Sequence, residues 1–415
     1  MAKKTKAGKK NKQKAAVVAM FVGIMLGLAI LGGVGFYIIR ISDGVGELSY
    51  VAAATVIDVV PVVPTAIAPE PESEPDACRL LHWPPAGAEP EPEPEEEALE
   101  PEPEIEPPPS PYVTITISAA GDNTLGGDSR WAGYHRFMRE FYNSGGDHSF
   151  FFRNVRQIFY ESDLAIVNLE GTLTYAEEHM DKEFVFRGPP HFAKILSEGA
   201  VDVVTIANNH TIDFFERGYQ DTIEALEAVG LAYFGNEFNT IVEVNGIKVG
   251  LFGFRVWNTY QFNKNRIVAA IDDLREQGAQ LIIAYHHWGY ENVNMANHVQ
   301  RTMGRFTVES GADLVLGAHP HVIQGIEVYQ GVNIVYSLAN FSFGGNSNPP
   351  DQDTFIFQQT FTFYNGVLLD TNETNIIPVM VSATRAYNNF QPTVAEGEDA
   401  DRILRRLQTY SEWLG

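Results

Sequence analysis

Between Pro69 and Pro111 the chain is dominated by Pro-Glu repeats, and no other feature limits its folding as much. Proline fixes φ and removes a backbone donor, and neighbouring glutamates repel one another. Such a stretch stays extended and cannot contribute a core. It reads as a semi-rigid spacer. Apolar surface must be buried before it or after it, and the composition turns globular from Tyr112 onward.

What precedes the spacer is short. The first fifteen residues hold seven lysines and no acid, and Ala16 to Ile39 then runs twenty-four residues without a charge before Arg40. About twenty apolar residues cross a bilayer as a helix, and flanking lysines belong on the cytoplasmic side. We therefore expect four parts. These are a basic cytoplasmic tail (1–15), a single-pass signal anchor (16–39), a Pro/Glu-rich extracytoplasmic linker (40–111) and an extracellular domain (112–415). The rival is a cleaved secretory signal, for which Ala52-Ala53-Ala54 offers small residues, but such signals have apolar cores of only about 7–15 residues. Either way the domain is exported. The single cysteine, Cys78, cannot form an internal disulfide, so the domain relies on its own core.

Of the formal charge of −24, residues 111–415 carry −16, from 20 basic and 36 acidic side chains. Phosphate binding needs a positive footprint, so nucleic acid is not expected as a partner. The same acidity suits divalent cations.

Within 112–415, residues 113–118, 164–169, 202–206, 281–285 and 314–316 read as strands. Residues 214–229, 263–277, 295–309 and 399–413 read as helices, and Asn245-Gly246 predicts a tight hairpin turn. This alternation predicts one α/β domain with mixed sheets, two sheets lying between helix layers.

Five predicted strand ends carry chemistry: Asp122; Asn168 and Glu170; Asn209 and His210; His286 and His287; His319 and His321. Open α/β sheets hold ligands at such ends. Residues two apart in extended chain face the same way. Asn168 with Glu170, and His319 with His321, are each expected to present a pair, whereas only one of His286 and His287 can take part. Carboxylate, amide and imidazole from five segments suit a two-metal site. His210 can exchange a proton near neutral pH and Asp213 can orient it. The plain alternative for Asn208 to Asp213 is a polar turn capping the next helix.

The motifs are Gly121-Asp122-Asn123-Thr124-Leu125-Gly126, Val167-Asn168-Leu169-Glu170-Gly171, Ala207-Asn208-Asn209-His210 through Asp213, and His287-Trp288-Gly289-Tyr290-Glu291. Gly317-Ala318-His319-Pro320-His321 and Tyr336-Ser337-Leu338-Ala339-Asn340-Phe341 follow. In this order they resemble the CapA-type capsule synthesis proteins of the calcineurin-like metallophosphatase superfamily, from Val113 to Phe343. The resemblance implies a four-layer αββα metallophosphatase-like sandwich, behind one transmembrane helix and a disordered linker. It implies two divalent ions (Mn, Fe or Zn) held by Asp122, Glu170, Asn209, His287, His319 and His321. His210 and Asp213 would form the catalytic pair. Arg187, in Phe186-Arg187-Gly188-Pro189, would be an anion clamp, or equally a surface arginine. Glu291 and Asn340 would face the substrate, and Tyr336 would line the pocket or simply fill the core. Departures from the wider superfamily are Thr124 where its Asp-x-His motif has histidine, and Asn168 with Glu170 where its second motif has aspartate. Ala339 stands where the family usually has glycine.

Two functions follow. One is a role in poly-γ-glutamate capsule biosynthesis or export through a metal-dependent site, beside other capsule synthesis membrane proteins. The alternative is a metal-dependent phosphoester hydrolase outside the cell. The substrate is accordingly an anionic polymer or a phosphoester. No Gly-x-x-x-x-Gly-Lys-Ser/Thr loop occurs, so any ligase step needs a partner.

Overall fold

The structure, a computed structural model, describes residues 110–414 and the strand Thr55–Asp58. The expected membrane anchor (16–39) and Cys78 lie outside the described residues. Among the described residues, no helix is long and apolar enough to cross a membrane.

Two eight-stranded mixed sheets form an α/β fold. One sheet runs, edge to edge, through Thr393–Val394, Val367–Met380, Asp353–Tyr364, Tyr112–Thr124, Leu164–Leu169, Val203–Thr205 and Ala232–Phe234. Asn340–Phe343 also pairs with Tyr112–Thr124. The other runs through Thr55–Asp58, Thr240–Val244, Ile247–Phe252, Leu281–Trp288, Leu314–Ala318, Val332–Val335 and Ile326–Tyr329. Arg255–Val256 pairs with Leu281–Trp288. The long antiparallel pair Asp353–Tyr364 and Val367–Met380 flanks the parallel strands that carry the predicted site residues.

Side-chain alternation explains the layering. Ile115, Ile117, Leu164, Ile166 and Val203 point to one face of the first sheet. Leu281, Ile283, Tyr285, Leu314 and Leu316 point to one face of the second, and together these form the core between the sheets. Their neighbours Ala165, Val167 and Val204 face outward beneath the helices Ala132–Asn143, Ala193–Glu198 and Phe215–Glu227. Ile282, Ala284 and Trp288 do the same beneath Gln261–Glu276 and His298–Glu309. The C-terminal helix Gly397–Glu412 adds Ile403 and Leu407 to the inter-sheet core.

Three aspartates stand one residue before a strand and clasp the neighbouring strand identically. Asp163 accepts from the Thr116 amide, Asp202 from Ala165 and Asp313 from Ile282, each at 2.7 Å. In each case the aspartate's own amide donates back to the same neighbour's carbonyl. These clasps fix the parallel register where each ladder begins.

Some elements differ from expectation. Helix Ala132–Asn143 falls in a stretch whose aromatic composition gives little periodic signal; Phe137 and Phe141 nevertheless bury one face. The helix predicted from Met295 begins at His298, where Asn297 and Gln300 form a reciprocal cap that sets the start. Strand Leu281–Trp288 runs three residues further than predicted, because Arg255–Val256 pairs with its end. Thr55–Asp58 lies inside the stretch expected to be linker; its β-branched run adds to the edge of Thr240–Val244.

Burial raises the Asp202 carboxyl from 3.8 to about 6, against the amide bond from Ala165. The unfolded chain ionises first as pH rises, so Asp202 costs stability above the unfolded value and the cost is complete above about pH 6. Asp202→Asn keeps an acceptor for Ala165. In urea melts it should be more stable than the parent by about 1–3 kcal/mol at pH 7.5, with the gap closing near pH 4. A gap that does not change with pH would refute this account.

Candidate metal centre

The site lies where the inter-sheet face turns polar. Leu281, Ile283 and Tyr285 point between the sheets, and His287 continues that series. Asn168 likewise continues Leu164 and Ile166. The apolar core thus ends in a polar cluster fed by both sheets. Tyr285 ties the sheets just behind it, its hydroxyl donating to the Ala120 carbonyl at 2.8 Å.

Asp122 is fully buried. Its Oδ1 accepts from Asn168 Nδ2 at 2.7 Å and its Oδ2 from the His319 amide at 3.2 Å. Its own amide donates to the Ala339 carbonyl at 2.8 Å. Gly121 permits that approach, since a Cβ there would lie 1.9 Å from the Ala339 oxygen. Glu170, also fully buried, has no hydrogen-bond partner on either oxygen. Its carboxylate lies 3.6 Å from His287 Nε2 and 3.9 Å from both His210 Nε2 and His321 Nδ1. His321 Nδ1 is 3.1 Å from Asp122 and 3.0 Å from the Asn340 side-chain oxygen. His287 Nε2 is 2.7 Å from the Asn209 side-chain oxygen.

The geometry corrects two expectations about these residues. His319 and His321 lie beyond the end of strand Leu314–Ala318, so no strand pleat aligns them. They converge through left-handed backbone, with φ of 96° and 58°, around Pro320. Ala339, across from them, has φ of 62°. All three are non-glycine residues held in this costly region by their surroundings. Nor do Asn168 and Glu170 act as a pair; Asn168 is occupied in holding Asp122.

The site residues predicted from sequence are distributed unevenly. Asp122, Glu170, Asn209, His287, His319 and His321 come together. Glu291 is exposed, but its carboxylate approaches His319 and His321, all within 4.8 Å. Asn340 is buried and turned onto His321, donating to its carbonyl at 3.1 Å, so it positions that ring instead of facing substrate. Tyr336 is core, its hydroxyl donating to Glu327. His286 faces the other way, toward Thr307 Oγ1 at 3.1 Å, and burial lowers it to about 3. Arg187 donates to the Ala176 carbonyl and lies over the Phe214 ring; among the described residues it has no hydrogen bond or ion pair with the cluster. In the same segment it is Phe186 that reaches the site, stacked on His210 at 4.0 Å.

His210 Nδ1 donates to Asp213 Oδ2 at 2.6 Å. Asp213 is fully buried and also accepts from the Phe186 amide and from Lys182 Nζ, each at 2.6 Å. Lys182 also reaches the Asn209 carbonyl at 3.0 Å. Sequence reasoning missed Lys182, whose one signal is being the lone cation of an acidic loop. It missed Asn208 too, which donates to Asn168 Oδ1 and the Leu169 carbonyl and so pins the loop.

Burial, and after it Asp122, pushes the Glu170 carboxyl well above the usual range. Burial and the neighbouring imidazoles push His287 well below 6.5, and His319 to about 3. Burial opposes charge on His321 as well, but Glu170 and Asp122 outweigh it and hold that ring at about 9. Among the described residues, both Glu170 oxygens and the Nδ1 atoms of His287 and His319 are buried without partners. Unpaired buried donors and acceptors are costly. Three overlapping groups have ligand atoms clustered closely enough for a metal ion: Glu170, His287 and His319; Asp122, Glu170 and His321; and Glu291, His319 and His321. The donor set fits a divalent cation, which would satisfy the orphaned Glu170 oxygens.

With that geometry in view, comparison with known proteins identifies the family. The family described as bacterial capsule synthesis protein PGA_cap matches residues 116–345. The chain belongs to it. This PGA_cap member is 31% identical over 213 residues to the PGA biosynthesis protein CapA of Bacillus subtilis strain 168, a match covering 46% of this chain and 56% of that relative. It is 29% identical over 234 residues to the capsule biosynthesis protein CapA of Bacillus anthracis, covering 50% and 57%. The matches thus span just over half the length of either relative. A crystal structure of a hypothetical protein from Thermus thermophilus is similar at 14% identity, with a TM-score of 0.38 over 64% of this chain and 99% of that one.

Lys182→Met tests how Lys182 acts on the His210–Asp213 pair of this PGA_cap domain. Burial lowers the His210 pKa and Lys182 adds to that effect, so removing the cation should raise it, read by NMR titration. Asp213 loses one of three partners, and urea denaturation should show a loss of about 1–3 kcal/mol. An unmoved His210 titration would exclude Lys182 from the pair.

Proposed function

We propose that this protein acts in the biosynthesis or export of a poly-γ-glutamate capsule, as a membrane-anchored domain outside the cell with a two-metal centre. Membership of the PGA_cap family supports the capsule role, as do the capsule and PGA biosynthesis roles that the two CapA relatives are named for. The anchor and the spacer are inferred from the apolar run at 16–39 and the Pro-Glu stretch. The observation that carries the metal-dependent reading is Glu170, a buried carboxylate without partners, ringed by three imidazoles.

Asp122, Glu170, Asn209, His287, His319 and His321 would hold the ions. When bound, Mn, Fe or Zn would polarise a substrate oxygen and lower the pKa of a water. Asp213 fixes the proton of His210 on Nδ1, leaving Nε2 turned toward Glu170. Because burial keeps His210 below 6.5, Nε2 is free at neutral pH to take up a proton and return it to a leaving group. Asn340 and Asn168 do not react; they orient His321 and Asp122. Two sheets between helix layers, with the site at strand ends, agree with a metallophosphatase-like architecture.

The His210–Asp213 pair favours a second reading, a metal-dependent phosphoester hydrolase acting outside the cell. In the capsule reading the centre binds and handles the polymer; in the second it cleaves a phosphoester. The two separate experimentally. Purified full-length protein should carry about two ions per chain, and Glu170→Gln should weaken metal affinity by about 10–100-fold or more. Poly-γ-glutamate should bind with metal and be released by chelator. A protein without metal, or metal binding indifferent to Glu170, would sink the metal-dependent reading. Turnover of phosphoesters abolished in His210→Ala, with no polymer binding, would favour the hydrolase.

A further inference from the structure

A polyanion approaching a domain of net charge −16 needs local positive charge at the site, and the cations nearest the cluster are largely committed. Lys182 is bound to Asp213, Arg187 to the Ala176 carbonyl, and Arg266 lies over Phe254 on the outer side of the sheet. Arg255 is different. The short strand Arg255–Val256 pairs in parallel with the end of Leu281–Trp288, in a register that sets Arg255 beside His287 and Val256 beside Trp288. Phe254 and Val256 are buried in the outer core with Trp288. Alternation then turns Arg255 and Trp257 to the opposite face, the one His287 occupies.

Trp257 confirms the direction, since its ring stands edge-on at 4.7 Å from His319 and 6.0 Å from His287. It is nevertheless 43% exposed. Arg255 is exposed too, and among the described residues its guanidinium has no hydrogen bond or ion pair. Its charge is felt at His287. The turn bearing Tyr290 and Glu291 is tied to the His319-Pro320-His321 segment by the Asn292 amide, which donates to the Pro320 carbonyl at 2.8 Å. Tyr290 is 66% exposed. The rim of the centre therefore carries an exposed guanidinium beside His287 and an exposed indole beside His319.

We infer that Arg255 and Trp257 are the substrate-recognition residues of this centre, Arg255 clasping a carboxylate of an acidic polymer and Trp257 carrying the adjoining methylene and amide stretch. The inference rests on the proposed capsule function and names the part of the site that reads its substrate. Arginine offers a planar fork matched to a carboxylate, a geometry lysine cannot reproduce. Indole offers a broad apolar surface with one donor.

The test uses the full chain in detergent, loaded with Mn, and a γ-linked glutamate oligomer of about ten residues, with inorganic phosphate as the second ligand. Arg255→Gln should weaken oligomer binding by about 10- to 100-fold, Arg255→Lys should recover part of that loss, and Trp257→Ala should cost about 3- to 10-fold. Metal content should match the parent in all three. Oligomer binding unchanged in Arg255→Gln would overturn the assignment while leaving the capsule function standing. Loss of phosphate affinity alone would overturn the carboxylate chemistry, and loss of metal would show a merely structural role. Failure of the metal-loaded parent to bind the oligomer would sink the capsule reading, and this inference with it.

Discussion

Two sheets pressed face to face, with their parallel strands ending at the same edge, set the conditions for everything else in the molecule. Strand alternation gives each parallel strand one face in the inter-sheet core and one under the outer helices. Asn168 and His287, which continue the inner face past its apolar part, therefore meet there, and the other site residues reach the same place from the strand ends and the loops beyond them. Asp122, Asn168 and Glu170 arrive from one sheet and His287, His319 and His321 from the other. The aspartate clasps at Asp163, Asp202 and Asp313 hold the register at the start of the ladders. A slip of one residue would turn His287 into the outer core and His286 into the site.

Convergence creates an electrostatic problem that the chain solves only in part. Asp122 has a donor on each oxygen, and Asp213 has three donors. Glu170 has none, although it is as deeply buried. A raised His321 offsets some of this acidity, while His287 and His319 are held neutral and so stay available as ligands. Backbone strain at His319, His321 and Ala339 belongs to the same picture.

Much of the site was legible because its chemistry is concentrated in short motifs at predicted strand ends. The separation of His286 from His287 followed from strand period alone. Arg187 shows where such reasoning stops. It belongs to a motif segment that does reach the site, yet the neighbouring residue, Phe186, makes the contact. The segment has only two residues of strand, Arg187–Gly188, so no period was available to tell one side chain from the next. Lys182 and Arg255 escaped for a related reason. Each is a single cation in a loop or two-residue strand, and its importance comes from what lies opposite it in space.

The sequence by itself determined the alternation of strands and helices from Tyr112 onward and the inventory of ligand-type side chains, both of which depend on composition or on local period. Only the tertiary structure decided that His319 and His321 meet through left-handed turns. It also decided that Asn340 holds a histidine, and that Glu170 is left without partners while Arg255 stands free beside His287. Those outcomes depend on the packing of one sheet against the other. No local pattern encodes it, because the site is closed by contacts such as that of Asp122 with the His319 amide, 197 positions apart.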